Sequence, residues 1–130
     1  MHLDLRQPLN YINIEVLPSS IAENDEFILC YQLNPAQNSS IEPDREQFLG
    51  NLVFIGQKTS CITDVNMPAG QYLFVQYRNK QHLSQNQWLD AAIEQQKDGL
   101  WERNKLENLL YVRFLHEDGK YVTQIFRTIG

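Results

Sequence analysis

The sequence predicts an α+β domain: a twisted, mainly antiparallel sheet of about five to seven strands, with one principal helix packed on one face. Three observations carry this. Residues 84–98 have the apolar periodicity and end signals of a substantial helix, and no other stretch does. Several shorter runs, rich in Val, Ile, Tyr and Phe, alternate or cluster as strands do. Glu117-Asp118-Gly119-Lys120 joins the last two of these runs with a hairpin turn. At 130 residues and 42% hydrophobic content, residues 1–130 fit a single domain able to bury its own core.

The helix is the best-defined element. Ser84 can cap the first free amides and Gln87 can reach back to the amide of the cap, forming a capping box. Leu89, Ala92, Ile93, Gln96 and Leu100 recur at spacings of three and four with Trp88 beside them, while Asp90, Glu94 and Lys97 lie away. Asp98-Gly99 reads as the stop, because glycine takes the left-handed conformation without a Cβ penalty.

Among the strands, residues 11–17 alternate so that Ile12, Ile14 and Val16 form the apolar face, and Pro18-Ser19-Ser20 ends the run. Residues 26–33, EFILCYQL, read as a more fully covered strand. The short connector predicts that it pairs antiparallel with the first. Residues 34–43, rich in Pro, Asn and Ser, read as a loose loop. Asp44 caps a single helical turn over 44–49, residues 51–55 give a strand ending at Gly56, and 58–65 are weakly strand-like. After a turn at 67–70, residues 71–78 form a strong strand that leads into the helix. Residues 109–116 and 120–129 form the closing hairpin. A two-residue turn at Asp118-Gly119 fixes their register: Glu117 faces Lys120, Arg113 faces Gln124 and Tyr111 faces Phe126. Leu110, Val112, Phe114 and Ile125 then lie under the helix. Tyr111, Arg113, Leu115, Val122, Gln124 and Phe126 lie on the opposite side.

Composition narrows the function classes. Net charge is −5, and residues 1–66 carry nine acidic against three basic side chains. No basic stripe is present to meet a phosphate backbone, so direct nucleic-acid binding is disfavoured. No run approaches the length of a membrane span and no secretory signal opens the chain, so a cytoplasmic location is expected. Cys30 and Cys61 fall within or beside apolar runs as expected of buried free thiols, with no disulfide between them. His2, His82 and His116 are far apart in sequence, no metal-ligand spacing or phosphate-cradling glycine motif is present, and no cofactor is expected. His116, beside the hairpin turn, reads as a surface residue.

The order strand, helix, strand, strand over residues 65–130 is entered through Met67-Pro68-Ala69-Gly70, with Tyr72 two residues on. This resembles the turn that opens the second module of the GyrI-like effector-binding domains. The resemblance implies paired modules whose sheets face one another and hold a small, often cationic and hydrophobic molecule, in the sensory part of transcription activators or in stand-alone proteins such as a gyrase inhibitor. Many members place an acid on the strand matching 110–114. This sequence has Arg113 there, which leaves a neutral or anionic ligand as open as a cationic one. Residues 1–66 show no long helix to match an ordinary first module.

The function expected is therefore a non-catalytic module binding a small hydrophobic or amphipathic molecule. Its pocket would be lined by Tyr72, Phe74, Trp88, Trp101, Tyr111, Arg113, Gln124 and Phe126, the aromatics giving area and the Arg/Gln pair orienting a polar group. The alternative is a protein-interaction module, a homodimer or accessory partner protein, that uses the same aromatic face.

Overall fold

The computed structural model describes residues 1–130. Its strands are β1 (His2–Leu5), β2 (Leu9–Ile14), β3 (Glu26–Leu33), β4 (Leu49–Lys58), β5 (Asn66–Met67), β6 (Gly70–Asn79), β7 (Leu106–Glu117) and β8 (Lys120–Ile129). The helices are the single turn α1 (Arg45–Phe48) and the principal helix α2 (Gln85–Trp101). All eight strands join one curled sheet in the order β1-β6-β8-β7-β3-β4-β2-β5, and every pairing is antiparallel. The α+β class holds, with eight strands rather than five to seven. The run 58–65 forms no strand beyond Lys58, where β4 ends, and the additional strands are β1 and β5, too short for their own composition to announce them.

The closing hairpin follows its turn. Asp118 and Gly119 have φ of 53° and 70°, and the pairs Glu117–Lys120, Arg113–Gln124 and Tyr111–Phe126 all form. Asp118-Gly119 supplies the two positive φ values that this tight turn requires at little steric cost. Ser84 and Gln87 make the full capping box at the start of α2. Asp44 caps α1 by accepting from the Glu46 N–H at 3.0 Å.

Four expectations are corrected. First, α2 runs through Gly99 to Trp101, and the left-handed stop falls on Arg103, φ 64°. Gly99 serves close packing instead: a Cβ there would lie 2.5 Å from Leu73 Cδ1. Second, β2 does not pair with β3, because β4 lies between them. The connector 15–25 crosses the end of the sheet, where Leu17 and Ile21 pack into the core under the helix. Third, Tyr11 is the buried residue of β2, while Ile12 and Val16 are exposed. Gly56 of β4 leaves the room that Tyr11 fills, since a Cβ on it would lie 2.6 Å from Tyr11 Cβ. Fourth, Cys30 is buried but Cys61 is exposed, in the loop after β4.

The loop 34–43 is also better anchored than its composition suggests. It contains a 3-10 turn over Pro35–Gln37, and Gln96 of α2 donates to the carbonyls of Gln37 and Ser40, both at 2.8 Å. Arg127 of β8, 1% exposed, bonds Gln96 Oε1 at 2.8 Å, Glu107 O at 2.6 Å, and Asn38 Oδ1.

Side chains gather into two clusters, one on each face. Under α2 lie Phe27, Leu29, Trp88, Leu89, Ala92, Leu110, Val112, Phe114 and Ile125 with their neighbours. On the opposite face lie Tyr11, Ile28, Cys30, Met67, Tyr72, Tyr111 and Phe126.

Candidate functional site

On the face away from α2 the hairpin register places Tyr111, Arg113, Gln124 and Phe126 together, and β6 adds Tyr72 and Phe74. Six of the eight predicted site residues thus share one face. Tyr72 meets Tyr111 and Phe126 edge-on at 6.1 Å and 5.9 Å, and Phe74 lies 4.9 Å from Phe126. The group is closed rather than open. Tyr72, Tyr111 and Phe126 are buried, because the curl of the sheet brings Leu3, Leu5, Leu9 and Phe54 over them. Trp88 lies on the other face and Trp101, 81% exposed, belongs to neither.

The polar residues of this face form a row across the strands. Tyr11 Oη donates to Glu26 Oε2 at 2.6 Å. Arg113 grips the same oxygen with Nη2 at 2.7 Å and Nε at 3.1 Å, and its Nη1 donates to Gln124 Oε1 at 2.8 Å. Gln124 donates on to Gln76 Oε1 at 2.7 Å. Glu26, 5% exposed, is therefore the acid of this face, contributed by β3 rather than by the strand of Arg113. Burial pushes the Cys30 thiol up to about 12 and the Tyr72 hydroxyl up to about 12, and raises Tyr11 and Tyr111 as well. At neutral pH these groups hold their protons, so the face offers no thiolate or phenolate nucleophile. Its donors and acceptors are engaged with one another.

Open space lies on the helix side of the sheet. Beyond the N-terminus of α2 the sheet is uncovered, and a cavity of about 660 Å³ forms between the loops 17–21 and 80–83. Leu29, Tyr31, Ile55 and Phe114 line it from the sheet and Trp88 from the helix, with Leu52 at its edge. Tyr31 and Trp88 meet at 5.5 Å, tilted by 44°. His82 supplies the defined polar group. A carbonyl can only accept, so the contact of Nε2 with Leu115 O at 2.7 Å fixes the proton on Nε2 and leaves Nδ1 as an acceptor. Burial lowers the His82 pKa, which keeps the ring neutral. Its ring stands edge-on to Phe114 at 5.4 Å and Tyr121 at 4.9 Å. His116 is not a free surface residue: it stacks on Tyr121 at 4.1 Å and its Nδ1 bonds Ile21 O at 2.8 Å, tying down one wall of the cavity.

Trp88 is thus the one predicted site residue at the open cavity. Sequence reasoning missed Tyr31, His82, Tyr11 and Glu26. Tyr31 shares the face of Leu29 in one apolar run, and Glu26 shares the face of Ile28 and Cys30. The run reads as continuously apolar, which singles out neither face, and no turn fixes how β3 lies against β7. Compared with protein families and with curated proteins, the chain matches no family model and no curated protein. No helix is long and apolar enough to cross a membrane.

Proposed function

We propose that this chain is a non-catalytic small-molecule-binding module of the kind the GyrI-like resemblance implies, with its site in the cavity between Trp88, Tyr31 and His82. The observation that carries the proposal is the cavity itself. Its volume of about 660 Å³ lies within the roughly 300–1,000 Å³ usual for small-molecule sites. Aromatic and aliphatic walls supply area, and the neutral His82 ring offers one directed acceptor. The ligand class is a largely apolar molecule, neutral or anionic, carrying a hydrogen-bond donor, since Lys80 is also among the lining residues. A cation gains no carboxylate here, because Glu26 is on the far face and is already engaged by Arg113.

A hydrophobic dye, 8-anilinonaphthalene-1-sulfonate, titrated into Trp101→Phe protein tests this, since Trp88 is then the only tryptophan. Saturable dye binding that changes Trp88 emission, and its loss in Leu52→Glu at the rim of the cavity, is the expected result. Dye binding that leaves Trp88 emission untouched places the site elsewhere. Native mass spectrometry of the purified protein gives the mass of any retained ligand.

A protein-interaction module is favoured by a different observation: Ile12, Val16, Leu52 and Val53, on or just beyond β2 and β4, are exposed. The face used would then be this one, since the aromatic face is buried within the chain itself. A dilution-sensitive dimer lost in Val53→Lys supports that reading.

A further inference from the structure

We propose, on the premise that the cavity beside Trp88 is the binding site, that it takes a single-chain amphiphile with a carboxylate head and a hydroxyl close to that head. The head faces Lys80 and the tail leaves past Leu52. The cavity has two unlike ends. Strands β8, β7, β3 and β4 are consecutive in the sheet, and Tyr121, Phe114, Leu29 with Tyr31, and Leu52 with Ile55 line the cavity from them in turn. Three strand spacings, about 14 Å, separate its ends.

The β8 end is the charged one. Asn79, the last residue of β6, pairs with Tyr121, and Lys80 follows it directly. Lys80 is the one formally charged side chain lining the cavity, which has no carboxylate in its walls. It enters no ion pair, and the acids of two adjoining segments are engaged elsewhere: Glu23 meets His116 at 3.2 Å and Glu117 meets Arg78 at 3.3 Å. In a chain of net charge −5, a wall whose full charge is positive favours an anion. His82 adds a second requirement. Its Nε2 proton is committed to Leu115 O, so Nδ1 can only accept. A bare carboxylate offers Nδ1 no proton, whereas a hydroxyl beside the carboxylate does. The β4 end is aliphatic. Leu17 and Leu52 line it, and their sequence neighbours Val16 and Val53 are exposed. A head group gains no partner there, while an alkyl chain lying along Trp88 and Tyr31 gains apolar cover as it leaves.

The test follows Trp88 emission in Trp101→Phe protein titrated at low salt with 3-hydroxydecanoate, decanoate and decyltrimethylammonium, each below its micelle concentration. The expected result is saturable binding of decanoate about tenfold tighter than that of the cation, and of 3-hydroxydecanoate at least about threefold tighter again. Lys80→Glu reverses the preference between decanoate and the cation, and His82→Phe removes the preference for the hydroxyl. Lengthening the chain from 3-hydroxyoctanoate to 3-hydroxydodecanoate tightens binding by at least about tenfold, a gain that shrinks in Leu52→Ser. Circular dichroism reports whether each variant keeps its fold, and Lys80 and Leu52 are both exposed. Equal affinity for decanoate and the cation, or for decanoate and its hydroxylated form, overturns the ligand assigned here, and so does an anion preference that survives Lys80→Glu. Affinity independent of chain length overturns its direction. In each of these cases a Trp88 response leaves the cavity standing as the site, whereas no response to any of the probes overturns both.

Discussion

The two faces of the sheet are closed by different means. Beneath α2 the side chains are mainly aliphatic and phenyl, and the buried cation Arg127 is held by neutral acceptors alone. On the other face tyrosines, a thiol and a methionine fill the space, and Arg113 meets a carboxylate. A helix is a lid of fixed length, and where α2 begins, at Gln85, the sheet beyond it stays uncovered. A sheet that curls on itself fills its own interior. The aromatic residues most suggestive of a pocket are thus packed shut, and the vacancy opens beside the face that reads as ordinary core.

The largest expected effect lies under the lid. Trp88 is 2% exposed, and Trp88→Ala should cost about 3–5 kcal/mol in chemical denaturation. A loss below about 1 kcal/mol would mean that the cavity already relaxes around this position. On the opposite face, Glu26→Gln leaves Arg113 without its anion and should cost about 2–3 kcal/mol. Glu26→Gln/Arg113→Met should recover part of that, because no charge is then stranded. If the double variant is no better than the single one, the row is not coupled as drawn.

The two faces also fail at opposite ends of the pH scale. Unfolded Cys30 and Tyr72 ionise near 9.0 and 10.0, but folded both hold their protons to about 12. Between these values the unfolded chain binds fewer protons, so stability falls as pH rises from about 9 to 12. Arg127, lowered by burial to about 10, works the other way in the upper part of that range. Under the helix, His82 has a folded pKa below its ordinary 6.5. As pH falls below 6.5 the unfolded chain binds more protons, and stability is lost. Melting curves across pH should show His82→Phe flattening the acid limb and leaving the alkaline one. The smallest effect is at Trp101, where Trp101→Ala should change stability by no more than about 0.5 kcal/mol.

How much of this was legible depended on the range of the signal. The cap at Ser84 and the turn at Asp118-Gly119 act within a few residues, and both formed; through the turn, so did the Arg113–Gln124 bond. β1 and β5 exist because β6 and β2 offer them edges, which four and two residues of sequence cannot declare. Tyr11 rather than Ile12 is buried, in room that Gly56 on another strand leaves for it. Glu26 escaped notice as the acid beside Arg113 because 86 residues separate them and no turn sets the register between β3 and β7. The site divided for the same reason: alternation assigns residues to a face, but the curl that seals one face and the lid that leaves the other open are properties of the whole sheet.

The position of β8 has a consequence for how the sheet is joined. β8 is the last of the eight strands in chain order, yet it lies inside the sheet between β6 and β7. Apart from it, β6 with β1 forms one fragment and β7 with β3, β4, β2 and β5 another, with no hydrogen-bonded ladder between them. Without β8 the long inner edges of β6 and β7 have no partner, and Arg127, carried on β8, is what reaches Asn38 and Gln96. The ladder that unites the two halves is therefore made by this one ten-residue strand, and a sheet lacking it would leave two long edges open to pairing with a neighbour.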